Sequence, residues 1–396
     1  MINERLERLG HNPFTRLAGL LSGVEPRSNL APLLLSVGEP QHAPPAFLAE
    51  TIAAHADLWN RYPPVQGTDD YREAAARWLT RRFSLPEGTV DPARHLLVLS
   101  GTKEGLFLAG QLAVPQAVTG ERPVVLIPNP YYQAYIGSAA MAGAEIVPMN
   151  ASAQTGFLPD FAALPSEVLD RTALAFLCNP GNPQGAIARL DYLKTALTLA
   201  RRHDFVLVVD ECYSEIWDEA APVGALEAAV ALGEGLDHLL IFHSLSKRSN
   251  AAGLRCGFIA GDEALLRRLL TLRSYGGAQI PLPIQAAGAA LWRDEDHVEA
   301  NRQLYRRKID LAEDILGGRF GFYRPAGGFF LWLSVGDDEA AAVRLWREAA
   351  VKSLPGSYLG LVDAMGVNPG AGYLRLALVH DEPVLADALE RVARVL

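Results

Sequence analysis

The chain has 396 residues, 49% of them hydrophobic and 20% charged, with a formal net charge of −9. That length is enough for a substantial core and two domains, and the composition is that of an ordinary soluble globular protein. The acidic balance argues against a nucleic-acid binder, which needs a basic face, and leaves any anionic substrate to be caught by local arginines.

Residues 1–22 read as one amphipathic helix, with Leu6, Leu9, Phe14, Leu17 and Leu20 spaced along one face. Its charged start has no apolar segment of the kind a secretory signal needs, and no apolar run in the chain approaches the ~20 residues of a membrane span. A short strand at 33–37 ends in Gly38-Glu39-Pro40; helix 45–56, a loop at 61–67 and helix 69–82 follow. Strands then alternate with helices. Strand 96–99 leads through Ser100-Gly101-Thr102-Lys103 into helix 105–114, and strand 124–127 leads into helix 132–142. Strand 145–149 comes next, then strand 174–178 with the loop Asn179-Pro180-Gly181-Asn182-Pro183-Gln184-Gly185. Helix 190–203 precedes strand 206–209, which ends in Asp210-Glu211; strand 239–243 runs into Ser244-Leu245-Ser246-Lys247, and strand 256–260 follows Arg255.

Near-continuous apolar strands alternating with helices predict a three-layer α/β/α domain around a mostly parallel sheet. After Leu282-Pro283 the pattern changes to a long helical stretch at 284–316, broken near 293–296, then strand 328–334, helix 339–351 and strand 373–378. This predicts a smaller α+β domain built from 1–35 and 284–396, beside a large domain at 36–283. No internal repeat or low-complexity tract is present. The three cysteines, Cys178, Cys212 and Cys256, lack C-x-x-C spacing and fall in or beside core strands. They read as reduced, buried and structural, which places the protein in the cytoplasm.

The unusual residues gather at the carboxyl ends of strands, where open α/β sheets bind ligands. Lys247 closes a buried strand, where burial and nearby cations lower an amine's pKa and allow it to form a Schiff base. Ser244, Ser246 and Arg255 offer hydroxyls and a forked guanidinium to a phosphate. Gly101, Thr102 and Lys103 stand where a helix N-terminus would meet an anion, although by itself this motif reads as a plain capping turn. A lysine of this kind beside a phosphate cradle suggests pyridoxal 5′-phosphate (PLP), although S-x-S-K alone reads equally as a polar loop with a solvated Lys-Arg pair. Asp210 ends a strand of Val and Leu, and a buried carboxylate needs a cationic partner: a pyridinium nitrogen, or an ordinary Lys or Arg. Tyr213 and Asn182 could donate to a phenolic oxygen, and Tyr132 could stack on a ring; each is also compatible with a turn or core role. Arg375 is a lone charge among apolar strand residues, suited to a substrate carboxylate or to an internal ion pair.

Taken in order, Gly38, Tyr62, Ser100-Gly101-Thr102, Tyr132, Asn182, Asp210, Tyr213, Lys247, Arg255 and Arg375 resemble the class I/II aminotransferases of PLP fold type I, nearly end to end. The S-x-S-K-x7-R and N-P-x-N-P-x-G motifs are the specific ones. The resemblance implies that Lys247 bonds the cofactor, Asp210 pairs its ring nitrogen, and Asn182 and Tyr213 contact its phenolic oxygen. It further implies that Thr102, Lys103 through its backbone, Ser244, Ser246 and Arg255 surround the phosphate, and that Tyr132 stacks. Arg375, Asn182 and the Gly38 backbone would hold the substrate. Tyr62 would reach the neighbouring subunit's phosphate, which implies a homodimer with shared sites and small-molecule amino acid and 2-oxo acid substrates. Gln184 departs from the family's usual threonine in a position that supports the turn. Whole segments, among them 36–42, 156–161, 210–215, 242–250 and 281–285, are similar to the succinyldiaminopimelate aminotransferases of lysine biosynthesis. That likeness implies glutamate as donor and N-succinyl-2-amino-6-oxopimelate as acceptor. An aminotransferase of other specificity (aspartate, aromatic or direct diaminopimelate), a PLP lyase or synthase on the same fold, and a non-catalytic PLP-binding regulator are the alternatives.

Overall fold

A computed structural model of the chain describes residues 3–10, 12–27, 29–116 and 121–396. Among these the strands are β1 (Leu33–Leu34), β2 (Leu96–Leu99), β3 (Val124–Asn129), β4 (Glu145–Asn150), β5 (Thr172–Cys178), β6 (Val206–Asp210), β7 (Leu239–Ser244), β8 (Gly257–Gly261), β9 (Phe330–Ser334), β10 (Val351–Lys352), β11 (Leu354–Pro355) and β12 (Tyr373–Ala377). Seven of them form one sheet in the order β2-β8-β7-β6-β5-β3-β4. β8 runs antiparallel to both its neighbours, and the other pairings are parallel.

Strand periodicity explains how this sheet is covered. Leu96, Val98, Leu126, Leu177, Val209 and Ile241 point to one face and join a core with the helices Asp69–Arg82, Leu190–Arg202, Ala225–Leu232 and Leu282–Arg293. Their neighbours Leu97, Leu99, Ile127, Phe176, Val208 and Phe242 point the other way, onto the helices Thr102–Ala113, Gln133–Ala142 and Glu263–Gly276. Both faces are buried, as a parallel sheet with continuous apolar strands requires. The protein is therefore a three-layer α/β/α fold with a smaller α+β part. In the smaller part, β11-β12-β9 form an antiparallel sheet, packed with the helices Asp296–Leu316, Asp338–Ala349 and Glu382–Val395.

Local chemistry sets the element ends. Thr68 caps helix Asp69–Arg82 by accepting from the Tyr71 N–H, with Asp69 and Asp70 in the first turn and Arg81 and Arg82 in the last. The single amphipathic helix expected at 1–22 is instead a 3₁₀ segment, Glu4–Leu9, and a separate α-helix, Pro13–Leu20. Asn12 is the reason: its side chain accepts from the Phe14 N–H and starts a new helix with Pro13 at its first position. Leu17 is buried, while Leu6, Leu9 and Phe14 are exposed; residues 1, 2 and 11 of the expected helix lie outside the described residues. The strand expected at 33–37 is only Leu33–Leu34, because its partner β10 is two residues long. No helix among the described residues is long and apolar enough to cross a membrane.

Candidate active site

The strand order brings the chemistry to one edge of the large sheet. β2, β3, β5, β6 and β7 all end there, and antiparallel β8 begins there, which delivers Thr102, Tyr132, Asn182, Asp210, Lys247 and Arg255 to one cavity of about 530 Å³. Arg375 arrives from β12, and Gly38 from the segment between β1 and the first helix of the large part. Lys103, Tyr213, Ser244 and Ser246 line the same cavity.

Each group is fixed locally. Ser244 caps a one-turn helix, Leu245–Arg248; its Oγ accepts from the Ser246 N–H at 3.1 Å and lies 2.9 Å from the Ser246 hydroxyl. The Lys247 ammonium donates to the Gly38 carbonyl and lies 5.3 Å from the centre of the Phe329 ring. Asp210 accepts from the Tyr135 hydroxyl at 2.8 Å and from the Cys212 N–H at 3.2 Å. Arg375 lies over the Phe330 ring, 4.4 Å from its centre, and donates to Asn182 Oδ1 at 3.2 Å and to the Ser36 carbonyl at 2.8 Å. Gly101 sits at φ +78°, and a Cβ there would stand 2.2 Å from Arg255 Nη2, so the glycine makes room for that guanidinium.

Burial makes the charges reactive. Desolvation, aided by Arg375 and Arg255 and opposed by Cys212 and Glu39, lowers the Lys247 amine to about 8. Desolvation raises the Asp210 carboxyl, against the hydrogen bonds from Cys212 and Tyr135 that favour its anion. Desolvation also brings Arg375 down to about 10. Among the described residues, no lysine or arginine pairs with Asp210 and no carboxylate pairs with Arg375, whose buried Nε has no hydrogen-bond partner. The cavity thus holds an uncompensated buried anion, an amine close to neutrality and two guanidinium groups without carboxylates. A ligand with a protonated ring nitrogen, an aldehyde and a phosphate matches three of these, and a substrate carboxylate matches the fourth. PLP fits the residues present.

Most of the expected site residues are gathered here. Tyr62 is not: it is fully exposed, at 101%, and outside the cavity. Gln184 is buried and bonds the Ala151 carbonyl at 3.2 Å through its side chain, so the turn is supported there without threonine. The cysteines depart from expectation in one respect. None is disulfide-bonded, but Cys178 and Cys212 line the cavity, and Cys212 Sγ lies 3.2 Å from the Thr102 hydroxyl. Tyr135 escaped the sequence reading. It lies one helical turn beyond Tyr132, yet nothing in the spacing says that it points at Asp210, since that contact joins different elements. Phe330 and Leu359, which close the apolar side of the cavity, carry no sequence signal beyond hydrophobicity.

Residues 32–392 match the family Aminotransferase class I and II. The chain is 36% identical over 361 residues to the 4-dedimethylamino-4-oxo-anhydrotetracycline transaminase OxyQ of Streptomyces rimosus, covering 90% of this chain and 92% of that protein. It is 32% identical over 399 residues to an LL-diaminopimelate aminotransferase of Desulforudis audaxviator, covering 98% and 96%. The fold superposes on an aminotransferase from Neisseria meningitidis with a TM-score of 0.94 at 39% identity, covering 99% of each chain. An end-to-end match of this kind, on a cavity whose charges call for PLP, makes the chain a member of the class I and II aminotransferases, PLP-dependent transaminases.

Proposed function

We propose that the chain moves an amino group between glutamate and a 2-oxo acid of the diaminopimelate series, with the N-succinylated 2-amino-6-oxopimelate as acceptor. The observation that carries the amino-acid reading is Arg375, a buried guanidinium with an unbonded Nε, in the same cavity as a lysine amine lowered to about 8. A carboxylate and an amino group on one carbon satisfy both sites at once. Arg375 and the Gly38 N–H orient the α-carboxylate. Lys247, with its amine lowered to about 8, would take the proton from the substrate's α-carbon as a general base and hold it for return as a general acid. PLP, when bound, supplies the electron sink for the charge left on that carbon. Asp210, its carboxylate fixed by Tyr135 and Cys212, would hold the ring-nitrogen proton. Asn182 and Tyr213 would donate to the phenolic oxygen, Tyr132 would cover the ring, and Gly101, Thr102, the Lys103 backbone, Ser244, Ser246 and Arg255 would hold the phosphate. Phe330 and Leu359 exclude water from the reacting carbon.

The succinylated acceptor rests on the likeness of whole segments such as 36–42 and 210–215. Relatives named as LL-diaminopimelate aminotransferases favour free LL-diaminopimelate as a second reading. The test offers LL-diaminopimelate and its N-succinyl derivative separately as amino donors to 2-oxoglutarate and measures the glutamate formed. The expected result is a kcat/KM at least ~10-fold higher for the succinylated donor, the discrimination of one well-placed polar contact. The reverse order selects the second reading. Consumption of both without glutamate would indicate a lyase. Lys247→Ala removes activity with either donor.

A further inference from the structure

The segment that carries Gly38 across the cavity continues to His42, which the chemistry above does not use. His42 Nδ1 lies 3.3 Å from Asn301 Oδ1. The Asn301 amide in turn donates to the backbone carbonyls of Lys247, at 3.1 Å, and Arg248, at 3.4 Å. On the other side of the ring, His42 Nε2 lies 2.6 Å from Lys308 Nζ, which also donates to the Leu378 carbonyl at 3.1 Å, just beyond β12. Lys308 is completely buried and Asn301 is 4% exposed. One chain of side chains therefore ties together the Gly38 segment, the Lys247 turn, helix Asp296–Leu316 and the strand bearing Arg375. Arg375 closes the circuit by donating to the Ser36 carbonyl.

Donor chemistry fixes the direction of every bond. Lysine offers only donors, so His42 Nε2 accepts. His42 Nδ1 then carries the proton and donates to Asn301 Oδ1, which leaves the Asn301 amide hydrogens for the two carbonyls. We propose that His42, Asn301 and Lys308 are positioning residues that set the spacing between the Lys247 amine, the Gly38 backbone and Arg375, and that protonation of His42 releases the Gly38 segment. An imidazolium turns Nε2 into a donor facing an ammonium, so the bond becomes a repulsion. Deprotonation of Lys308 has no such effect, because a neutral amine keeps two N–H donors for His42 and Leu378.

The surroundings favour the neutral ring. Desolvation lowers the His42 pKa, reinforced by Lys308 and Arg307 and opposed by the Asn301 bond and by Asp381. Desolvation lowers Lys308 to about 8, with Asp381 and Glu382 opposing and Arg307 reinforcing. Tyr305 packs on both, its ring centre 5.2 Å from the His42 ring and 5.1 Å from the Lys308 amine. A base depressed in the folded state keeps the linkage intact above the ordinary histidine pKa of about 6.5 and loses it as the pH falls through the lower folded value.

The test is hydrogen–deuterium exchange of residues 36–42 in the PLP-loaded enzyme at pH 7.5 and pH 5, corrected for intrinsic rates, with the KM for glutamate measured in parallel. It is independent of which 2-oxo acid is the acceptor. The expected result is acid-induced opening of this segment and a rise in KM of ~10-fold or more with a smaller change in kcat, since substrate placement rather than proton transfer is lost. In His42→Gln, whose amide oxygen still accepts from Lys308 but does not titrate, both acid effects disappear and the enzyme at pH 7.5 stays close to wild type. In His42→Leu the segment is open at both pH values. Equal exchange in the wild type at the two pH values, or an unchanged acid response in His42→Gln, would overturn the proposal.

Discussion

At Lys247, burial and function pull in the same direction. At pH 7.5 an ordinary lysine is neutral in about one molecule in a thousand, whereas an amine at about 8 is neutral in about a quarter. Only the neutral form attacks an aldehyde. The rate of covalent capture of PLP by the cofactor-free protein should therefore rise ~25-fold between pH 6.5 and 8.5 and level off above it, followed by the cofactor's visible absorbance. A flat profile would place the amine's titration elsewhere. Asp210 shows the complementary cost: its carboxylate is held ready by Tyr135 and Cys212 but is left without a cation by the protein itself. Lys247, Asp210 and Arg375 were legible from the sequence because a charge inside an apolar strand pattern is conspicuous. Tyr135 and Cys212 were not, because an aromatic or a cysteine in such a pattern looks like core.

At the scale of the element, the strand-to-helix turns do the positioning. The turn Ser100–Thr102 needs Gly101 at φ +78°, with Arg255 Nη2 in the space a Cβ would take. Gly88 has a similar φ of +80° but nothing within 4 Å of its missing Cβ, so it serves as a control. Both Gly101→Ala and Gly88→Ala should lose about 1–3 kcal/mol of stability, because each glycine has a positive φ that side chains rarely adopt. Only Gly101→Ala should also weaken PLP binding, by ~10-fold or more, because the displaced guanidinium loses its bidentate hold on the phosphate. Thermal melts and PLP titrations of the two variants separate strain from site. Helix Asp69–Arg82 was fully legible, with its cap and charge pattern in the sequence. The helices Ala225–Leu232 and Glu382–Val395 carry no motif, although Glu382–Val395 has a clear apolar face in Leu385, Leu389 and Val392.

At the scale of the whole molecule, Tyr62 is fully exposed, with Tyr275 at 90% and Trp59 at 54%. We propose that the enzyme is a homodimer in which Tyr62 serves the partner's phosphate site. Hybrids of Lys247→Ala and Tyr62→Ala chains decide this. If Tyr62 acts across the interface, each hybrid has one site bearing both lesions and one fully intact site, whose PLP affinity equals that of the wild type. If Tyr62 acts within its own chain, every hybrid site with a lysine keeps the Tyr62→Ala defect. We also propose a hinge between the two parts, nearer Arg293–Asp296 than residue 283, because Ala289, Leu291 and Trp292 still belong to the large sheet's core.

The sequence by itself determined the alternation of strands and helices around the sheet, its two-faced burial and the identity of the ionisable groups. These are written in local periodicity and in charges that break it. Only the tertiary structure decided which groups meet. The antiparallel insertion of β8 between β2 and β7 puts Arg255 beside Gly101, and the return of β12 puts Arg375 beside Asn182. The linkage from His42 through Asn301 to Lys247 joins residues 259 and then 54 positions apart. Such contacts depend on packing between distant elements, and no pattern along the chain encodes them.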